Sequence, residues 1–363
     1  MLSPRVIFRL LGLLSLSLPL AVLASPIRNP PLISVRSPVR NSGPLISVRG
    51  MYMPGASRMH TTGDIPFEFA AEKLEVRQTG RTCENPSIRK EWRELSTTEQ
   101  AAYHEAVKCL MSSPSQRYPD EPSVANRADD FTWTHMMVNE EAHLTATFLP
   151  FHRWFLHQYE SSLRSECGYT GPLPYWDWTI DADTLSVPNS PVFDASTGFG
   201  GNGRRVDSDA NPSGYEYCVQ DGPYANTALT LGGTYPDFVD GEHCLSRTFN
   251  NGWQDLNGEF IVGDMMASQY YTTLALAPVY RQNNYYSFEV NLEDRSHAAV
   301  HNAIGGDMLT SASPNDPLFY LHHANVDRIW AKWQAASPAR LTDYNGWKDR
   351  NETIPAHIDD EMP

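Results

Sequence analysis

The sequence predicts a mainly α-helical fold with long irregular loops, and three observations support this. His297 and His301 are four residues apart, which places them on one face of a helix. Ser96 and Glu99 have the spacing of a capping box and precede an apolar pattern of helical period. Residues 180–255 are rich in Gly, Pro, Asn and Asp, which predicts a long, mostly irregular excursion over the core.

The amino-terminal part of the 363-residue chain predicts secretion. Arg5 and Arg9 precede a short apolar run, so residues 1–24 resemble a signal peptide. The run is too short for a membrane span, and no membrane contact is expected after cleavage. A mitochondrial presequence is the alternative, but such presequences are amphipathic and this run is uniformly apolar. Residues 25–75 are rich in Pro and Ser, which predicts a disordered leader or propeptide.

The remaining chain is expected to form one domain over residues 76–340, followed by a C-terminal tail over 341–363. Hydrophobic residues make up 41% of the chain, which is enough for a large core. The formal net charge of −15 would repel phosphates and argues against a nucleic-acid partner. Asn351 begins the sequon Asn-Glu-Thr and is a candidate glycosylation site.

Cysteine usage fits an oxidising compartment, in agreement with secretion. The five cysteines are Cys83, Cys109, Cys167, Cys218 and Cys244. An odd number allows two bridges and leaves one thiol. A bridge between Cys218 and Cys244 would staple the long irregular segment. Cys83 could pair with either Cys109 or Cys167, and the sequence leaves this choice open.

Residues 129–166 carry a first set of histidines among Phe, Trp and Leu. The set is His135, His143 and His152. Pro150 predicts the start of a new helix that carries His152, so the three rings would come from two helices and a loop. His157 lies five residues after His152 and would face elsewhere on that helix. His104, in the helix after the capping box, has no partner at ligand spacing and is expected to be a surface or packing residue.

Residues 296–333 carry a second set, and residues 264–276 are predicted to form the helix that leads into it. This second set is His297, His301 and His323. A Gly-Gly turn and a Pro-containing loop separate the first two from His323, which follows His322 at the start of an amphipathic segment. Six imidazoles in an apolar setting would be costly to bury without a ligand. Two sets of three therefore suggest two metal ions held close together between helices.

Ligand chemistry narrows the identity of these metal ions. Imidazole ligands without cysteine suit copper or zinc rather than magnesium or calcium, and three histidines with an open position also describe a hydrolytic zinc site. Glu140 with His143, and Asp294 with His297, have the i, i+3 spacing of di-iron carboxylate bundles. A di-iron site would need two more bridging carboxylates and would leave four histidines without a role. A pair of copper ions uses all six.

These motifs resemble the two copper sites of the tyrosinase, catechol oxidase and haemocyanin family. The stretch FLPFHRWFLHQYE, with the two upstream histidines, resembles the first copper site. HAAVHNAIGGDM followed by DPLFYLHHANVDRIW is similar to the second. The resemblance covers roughly residues 80–340 and implies a four-helix bundle that holds a dinuclear copper site. It implies that the six histidines named above are the copper ligands.

The resemblance also implies roles for residues beside the ligands. The second histidine of the His-His pair is the ligand in the family, so His322 would lie behind the metal. Asp327 and Arg328 resemble the family's buried ion pair behind the second copper. Phe148 and Phe319 would wall the pocket.

The sequence departs from the family pattern at two residues and in one domain. Glu141 stands where many relatives have a cysteine that forms a thioether with a histidine, so that crosslink cannot form. Ala298 stands where many tyrosinases carry an asparagine that helps hold a water for deprotonating the phenol, which weakens the expectation of monophenol hydroxylation. Glu289 or Glu293 could supply a base instead. The carboxy-terminal shielding domain of long fungal relatives is also missing.

The resemblance implies a dicopper oxidase of the tyrosinase or catechol oxidase type, and the signal-peptide pattern of residues 1–24 predicts that it is secreted. Its partners would be O₂ and a small phenol, o-diphenol or o-aminophenol, and its products o-quinones of pigment or secondary-metabolite biosynthesis. The sequence does not indicate what supplies the copper. The alternatives are a haemocyanin-like oxygen-binding protein without turnover and a di-iron carboxylate oxidase.

Overall fold

A computed structural model describes residues 87–207, 215–234, 237–254, 260–262 and 265–363. The predicted signal peptide, the leader and Cys83 lie outside the described residues. The described part of the chain is mainly α-helical, as expected from the sequence. None of its helices combines the length and the apolar character that a membrane span requires.

The first half of the domain is helical and begins where the capping box predicts. Its helices are α1 (Thr97–Ser112), α2 (Arg127–Met137), α3 (Asn139–Ala142), α4 (Phe148–Cys167) and α5 (Trp178–Asp183). The Ser96 hydroxyl accepts from the Glu99 amide, and the Glu99 carboxylate accepts from the Ser96 amide in return. Helix α4 starts at Phe148, so Pro150 lies in its first turn, where a missing N–H costs nothing. It ends at Gly168, whose φ of +68° closes the helix.

The segment that the sequence predicted to be mostly irregular also carries short antiparallel ladders that the sequence did not predict, and the last of them extends beyond it to Val262. The strands are β1 (Arg204–Asp207) with β2 (Tyr215–Cys218), β3 (Ala228–Thr234) with β4 (Asp237–Cys244), and β5 (Asn250–Gln254) with β6 (Phe260–Val262). These strands are short, and several contain glycine or charged residues that weaken any alternating pattern. These strands therefore form because each pairs with a partner strand, and the β propensity of their own residues contributes little.

The second half returns to helices and carries the second histidine set. Its helices are α6 (Thr273–Tyr280), α7 (Tyr285–Asn291), α8 (Ala298–Ile304) and α9 (Leu318–Ala335), with a π-helical turn, Leu292–His297, between α7 and α8. A helix was predicted over residues 264–276, and the predicted start of that helix was wrong. Met266 and Ala267 have φ of +46° and +50°, a left-handed conformation that interrupts a helix, and α6 begins only after the Thr272 cap.

Aromatic packing and disulfides join these helices into one core. Helix α4 packs against both α9 and α1, and the Tyr159 and Tyr320 rings stack where α4 meets α9. The predicted Cys218–Cys244 bridge is present and joins β2 to β4. The two pairings considered for Cys83 were wrong, because Cys109 and Cys167 bond to each other and tie α1 to α4. That geometry needs the two helix ends side by side, which sequence spacing does not reveal.

The residues after α9 fold back onto the helical core. The Lys348 amide donates to the carbonyl of Ile354 at 2.8 Å, and the Ala356 amide donates to the carbonyl of Gly346 at 3.0 Å. Residues 346–356 therefore form a short hairpin, here called the C-terminal hairpin. It contacts the loop between α3 and α4, where the Ala146 amide donates to the Trp347 carbonyl at 2.8 Å.

Candidate metal centre

The first histidine set comes from two helices and a loop, in agreement with the prediction from Pro150. Helix α2 carries His135 and α4 carries His152, whereas His143 has extended backbone at the C-terminal end of α3. The ring centroid of His143 lies 5.0 Å from those of both His135 and His152. His135 and His152 are each only 2% exposed, and His143 is half-buried.

The second set lies on the π-helical turn, α8 and α9. His297 ends the π-helical turn, His301 lies one turn later in α8, and His323 lies in α9. The His297 ring centroid is 4.6 Å from that of His301 and 5.0 Å from that of His323. All three are nearly fully buried.

The two sets face each other across one space. The rings of His152 and His323 stack with centroids 4.2 Å apart and planes 10° apart. Phe148 bridges the sets on one side, with its ring centroid 4.8 Å from His152 and 4.7 Å from His297. Phe319 does the same from α9, at 5.1 Å from His135 and 4.2 Å from His323. Both phenylalanines are fully buried and pack directly on the histidine rings.

Backbone carbonyls fix the tautomer of five of the six rings. The Nδ1 atoms lie 2.6–3.2 Å from carbonyl oxygens in these pairs: His135 with Ser311, His143 with Asn139, His152 with Phe148, His297 with Glu293, and His301 with Met308. A carbonyl only accepts, so each Nδ1 carries the hydrogen and each Nε2 keeps its lone pair. Hydrogen bonds of this kind orient the rings of metal-binding histidines.

The Nε2 atoms that remain fit a pair of cations. The Nε2 atoms of His135 and His152 lie 3.4 Å apart, and those of His301 and His323 lie 3.3 Å apart. Because the Nδ1 atoms of His135 and His152 both donate to carbonyls, their facing Nε2 atoms have two lone pairs and no hydrogen, and a cation between them would relieve this repulsion. The buried Nε2 of His297 has no hydrogen-bond partner in the described chain, which fits a further ligand atom.

Burial also keeps these rings neutral, as metal binding requires. It lowers the pKa of His135 and of His301 to about 4, and the Ser311 and Met308 carbonyls oppose this only in part. Burial, together with the neighbouring imidazoles, also lowers the pKa of His143, His152 and His323 well below the ordinary value.

The di-iron alternative is not supported by the placement of its carboxylates. Glu140 is exposed, and Asp294 is only half-buried. Within the described ranges, the groups around this centre that could hold a metal contain histidine alone. Imidazole-only ligation favours copper over a carboxylate-bridged iron pair.

His322 lies within the second cluster but points away from the first set. One nitrogen each from His297, His301, His322 and His323 fall within 4.8 Å of one another. The His322 ring stacks on His297 at 5.2 Å and contacts Trp178 at 6.4 Å, whereas His323 stacks on His152. His323 is therefore the member of the pair that faces the space between the two sets.

The ion pair expected behind the second set is not where the sequence predicted. Asp327 pairs with Arg89 and Arg153, and Arg328 pairs with Asp177, so Asp327 and Arg328 do not pair with each other. Successive residues on a helix point about 100° apart, which separates these two side chains.

The buried pair is instead Arg247 with Asp316, and both side chains are fully buried. Arg247 also donates to the carbonyl of Gly200, and Asp316 accepts from the Leu318 amide at the start of α9. The pair therefore anchors the helix that carries His323. Arg247 and Asp316 are 69 residues apart, and nothing in their local sequence signals the contact.

Glu289 and Glu293 are both buried beside the centre. The Glu293 carboxylate accepts from the Leu144 amide at 2.9 Å and 3.1 Å, and Leu144 directly follows His143. Burial raises the pKa of Glu293 to about 7, and burial together with the charge of Glu293 raises the pKa of Glu289 well above its ordinary value. Glu141, where a thioether cysteine would stand, is exposed.

Other candidates from the sequence lie away from the centre. His104 is buried, with Nδ1 3.0 Å from the Tyr224 hydroxyl and Nε2 3.2 Å from the Thr197 carbonyl, so it is a packing residue as expected. His157 is exposed on α4. Asn351 is exposed at the turn of the C-terminal hairpin.

Comparison with known proteins agrees with this centre. The family model "Common central domain of tyrosinase" matches residues 125–336. The chain is 41% identical over 299 residues to the tyrosinase-like protein phomQ1 of Diaporthe leptostromiformis, a match that covers 77% of this chain and 72% of that protein. It is 33% identical over 295 residues to the N-acetyl-6-hydroxytryptophan oxidase ivoB of Emericella nidulans, a match that covers 69% and 76%.

A solved structure supports the same relationship at the level of fold. A polyphenol oxidase variant from Thermothelomyces thermophila matches with a TM-score of 0.63 and 31% identity, over 78% of this chain and 84% of that one. The extent of these matches shows both the fold and the cofactor class. The chain belongs to the tyrosinase family of copper oxidoreductases, which act on phenolic substrates with a dinuclear copper site.

Proposed function

We propose that the protein is a secreted oxidase that uses O₂ to convert o-diphenols, o-aminophenols or related phenols to o-quinone products. In this proposal His135, His143 and His152 hold one copper ion. The other ion is held by His297, His301 and His323. The observation that carries the proposal is the stacking of His152 on His323, which turns the two sets toward one shared space. Bound copper would supply the oxygen binding and electron transfer there.

The chain's own residues would orient the ligands and exclude water. Five Nδ1–carbonyl hydrogen bonds hold the rings in one tautomer, which reduces reorganisation when the metal binds. Phe148 and Phe319 surround the rings with apolar surface, which strengthens electrostatic interactions at the centre. His143 is the most exposed of the six histidines, so a phenol would approach from its side.

We propose Glu293 rather than Glu289 as the group that receives a phenolic proton. The Glu293 carboxylate is fixed at the Leu144 amide beside His143, whereas Glu289 lies one turn earlier. Its position on the edge where a phenol would enter suits a general base. Replacing Glu293 by Gln should therefore lower turnover more than Glu289→Gln does.

The relatives support a broad class of hydroxylated aromatic substrates. One is named an oxidase of N-acetyl-6-hydroxytryptophan, which carries a phenol-like hydroxyl on an indole ring. We propose a comparable small aromatic substrate from pigment or secondary-metabolite biosynthesis. We also propose removal of residues 1–24 as a signal peptide, a leader over 25–75, a catalytic domain over 76–340, a C-terminal segment over 341–363 and a glycan on Asn351.

The proposal is tested by expressing the full chain with copper, and measuring metal content and O₂ uptake with catechol, tyrosine and o-aminophenol. We expect two copper ions per chain and rapid O₂ uptake with at least one substrate. His152→Gln should lose one copper and the activity. His157→Gln, an exposed histidine on the same helix, is the matched control and should keep both. Reversible O₂ binding without turnover of any substrate would instead support an oxygen carrier, and bound iron would overturn the copper assignment.

A further inference from the structure

His143 is the candidate ligand with the weakest local support. It lies beyond the single-turn helix α3, in extended backbone, and is half-buried. The next residue, Leu144, has a φ of +57°, which is unfavourable for a side chain with a Cβ. A loop in this conformation needs contacts from elsewhere in the fold to stay in place.

Arg350 supplies two such contacts from the C-terminal hairpin. Its Nε donates to the carbonyl of His143 at 3.1 Å, and its Nη2 donates to the carbonyl of Asn139 at 2.6 Å. The same Asn139 oxygen accepts from Nδ1 of His143 at 3.1 Å. One guanidinium therefore holds both the backbone of this histidine and the oxygen that orients its ring.

The C-terminal hairpin that carries Arg350 is itself held in place against the His143 loop. The Trp347 carbonyl accepts from Ala146, three residues after His143, so the hairpin and the loop are joined at a second point. Gly346 has a φ of +122°, and a Cβ built there would meet the Tyr286 ring at 2.9 Å and the Ala146 Cβ at 3.4 Å. Only a glycine permits the hairpin to approach this closely.

We propose that Arg350 is a positioning residue that holds His143 in its metal-binding conformation, and that the C-terminal hairpin thereby completes the first copper site. The inference rests on the proposed ligand role of His143. A guanidinium can donate several hydrogen bonds in a rigid plane, and charge-assisted bonds to carbonyls are stronger than neutral ones. Without it, the His143 loop would sample conformations in which the ring leaves the site.

The test compares Arg350→Gln with Arg340→Gln in the full chain. Arg340 is a matched control, because it also donates to two backbone carbonyls, those of Trp333 and Gln282, at the far end of α9. Copper affinity is measured by competition with a chelator, and amide hydrogen exchange of residues 138–147 is measured in metal-free protein. Arg350→Gln should weaken one of the two copper sites by about 10- to 100-fold and speed exchange in the loop. Arg350→Lys keeps the positive charge but loses the planar set of N–H donors. Its copper affinity and loop exchange rate should lie between those of the wild type and Arg350→Gln.

Two outcomes would overturn the inference. One is wild-type copper affinity together with unchanged loop exchange in Arg350→Gln. The other is that Arg340→Gln loosens the loop as much as Arg350→Gln does, because the effect would then be general destabilisation. The exchange measurement needs no metal, so it is independent of the proposed function. If the wild-type chain bound no copper, the proposed function would fail, while loop exchange would still show whether Arg350 holds the loop.

Discussion

At the level of single residues, the centre depends on hydrogen bonds that hold the Nδ1 atom and leave the Nε2 atom free in five of the six histidine rings. His135 and His301 show this best, because their Nδ1 atoms donate to carbonyls outside their own helices, those of Ser311 and Met308. Buried imidazoles without a metal would be an unfavourable arrangement of desolvated lone pairs. The residue beside His297 is Ala298, whose side chain is apolar and 2% exposed.

We expect Ala298→Asn to raise monophenol activity relative to diphenol activity. An amide beside His297 would help hold a water that accepts the phenolic proton. We expect the ratio of monophenol to diphenol activity to rise on the order of 10-fold, which is less than a directly positioned general base contributes. The ratio of initial rates with tyrosine and catechol measures it. Ala299→Asn, an equally buried neighbour, is the control for overpacking and should lower stability without changing the ratio. An unchanged ratio in Ala298→Asn would show that a missing asparagine does not limit the enzyme.

His104 should make stability depend on pH independently of the metal. Burial lowers its pKa from 6.5 to about 4. In the unfolded chain His104 is therefore protonated below pH 6.5, whereas in the folded chain it stays neutral down to about pH 4. Stability is lost as the pH falls through this window, by about 3 kcal/mol at most.

His104→Phe removes this titration and leaves the Tyr224 hydroxyl and the Thr197 carbonyl without their partner. It should be less stable than wild type at pH 7, by about 1–3 kcal/mol. Urea unfolding of both metal-free proteins should show this gap narrowing as the pH falls from 6.5 to about 4. A gap independent of pH would contradict a lowered pKa for His104.

At the level of secondary-structure elements, short irregular segments between the helices orient several of the candidate ligands. The π-helical turn Leu292–His297 places the Glu293 carbonyl on Nδ1 of His297, while the Glu293 side chain reaches the Leu144 amide. A π turn inserts one residue and changes the direction of the side chains that follow. The turn thus connects the His143 loop to the helix of the second set.

The Cys109–Cys167 disulfide should contribute stability without affecting the metal. It closes a separation of 58 residues, and the chain-entropy relation gives about 4 kcal/mol for its removal. His152 is fifteen residues from Cys167 along α4, or about 22 Å. Cys109→Ser with Cys167→Ser should therefore lower the free energy of unfolding in urea and keep two copper ions. Loss of copper in that variant would show that the bridge also shapes the centre.

At the scale of the whole molecule, the centre and the fold should stabilise each other. The candidate ligands come from six parts of the chain, namely the loop after α3, the π-helical turn and four helices, so a bound metal links segments that unfolding would separate. Removing copper with a chelator should lower the thermal midpoint. A ligand at 1,000 times its Kd stabilises by about 4 kcal/mol.

Differential scanning calorimetry with and without copper measures this coupling. His152→Gln should show a smaller copper-dependent shift than wild type, because it keeps one complete set. His157→Gln should show the full shift. An identical midpoint for the metal-free and copper-loaded wild-type protein would contradict the link between centre and fold.

The local features of the fold could be predicted from the amino-acid sequence alone. The capping box of Ser96 and Glu99 starts α1, and the four-residue spacing puts His297 and His301 one helical turn apart. These depend on interactions between residues three or four apart, so composition and spacing suffice to predict them. The histidine motifs are equally local, which is why the amino-acid sequence is enough to show the family resemblance.

The contacts between residues far apart in the chain became known only from the folded structure. His135 donates to the carbonyl of Ser311, which is 176 residues away in the sequence. Arg247 pairs with Asp316 over 69 residues, and Arg350 donates to the carbonyl of His143 over 207. The β ladders and the Cys109–Cys167 pairing are of the same kind. Such contacts depend on how whole helices and loops pack, and a local sequence pattern does not encode its partner. The residue types at the centre were readable from the sequence, while their mutual orientation required the folded chain.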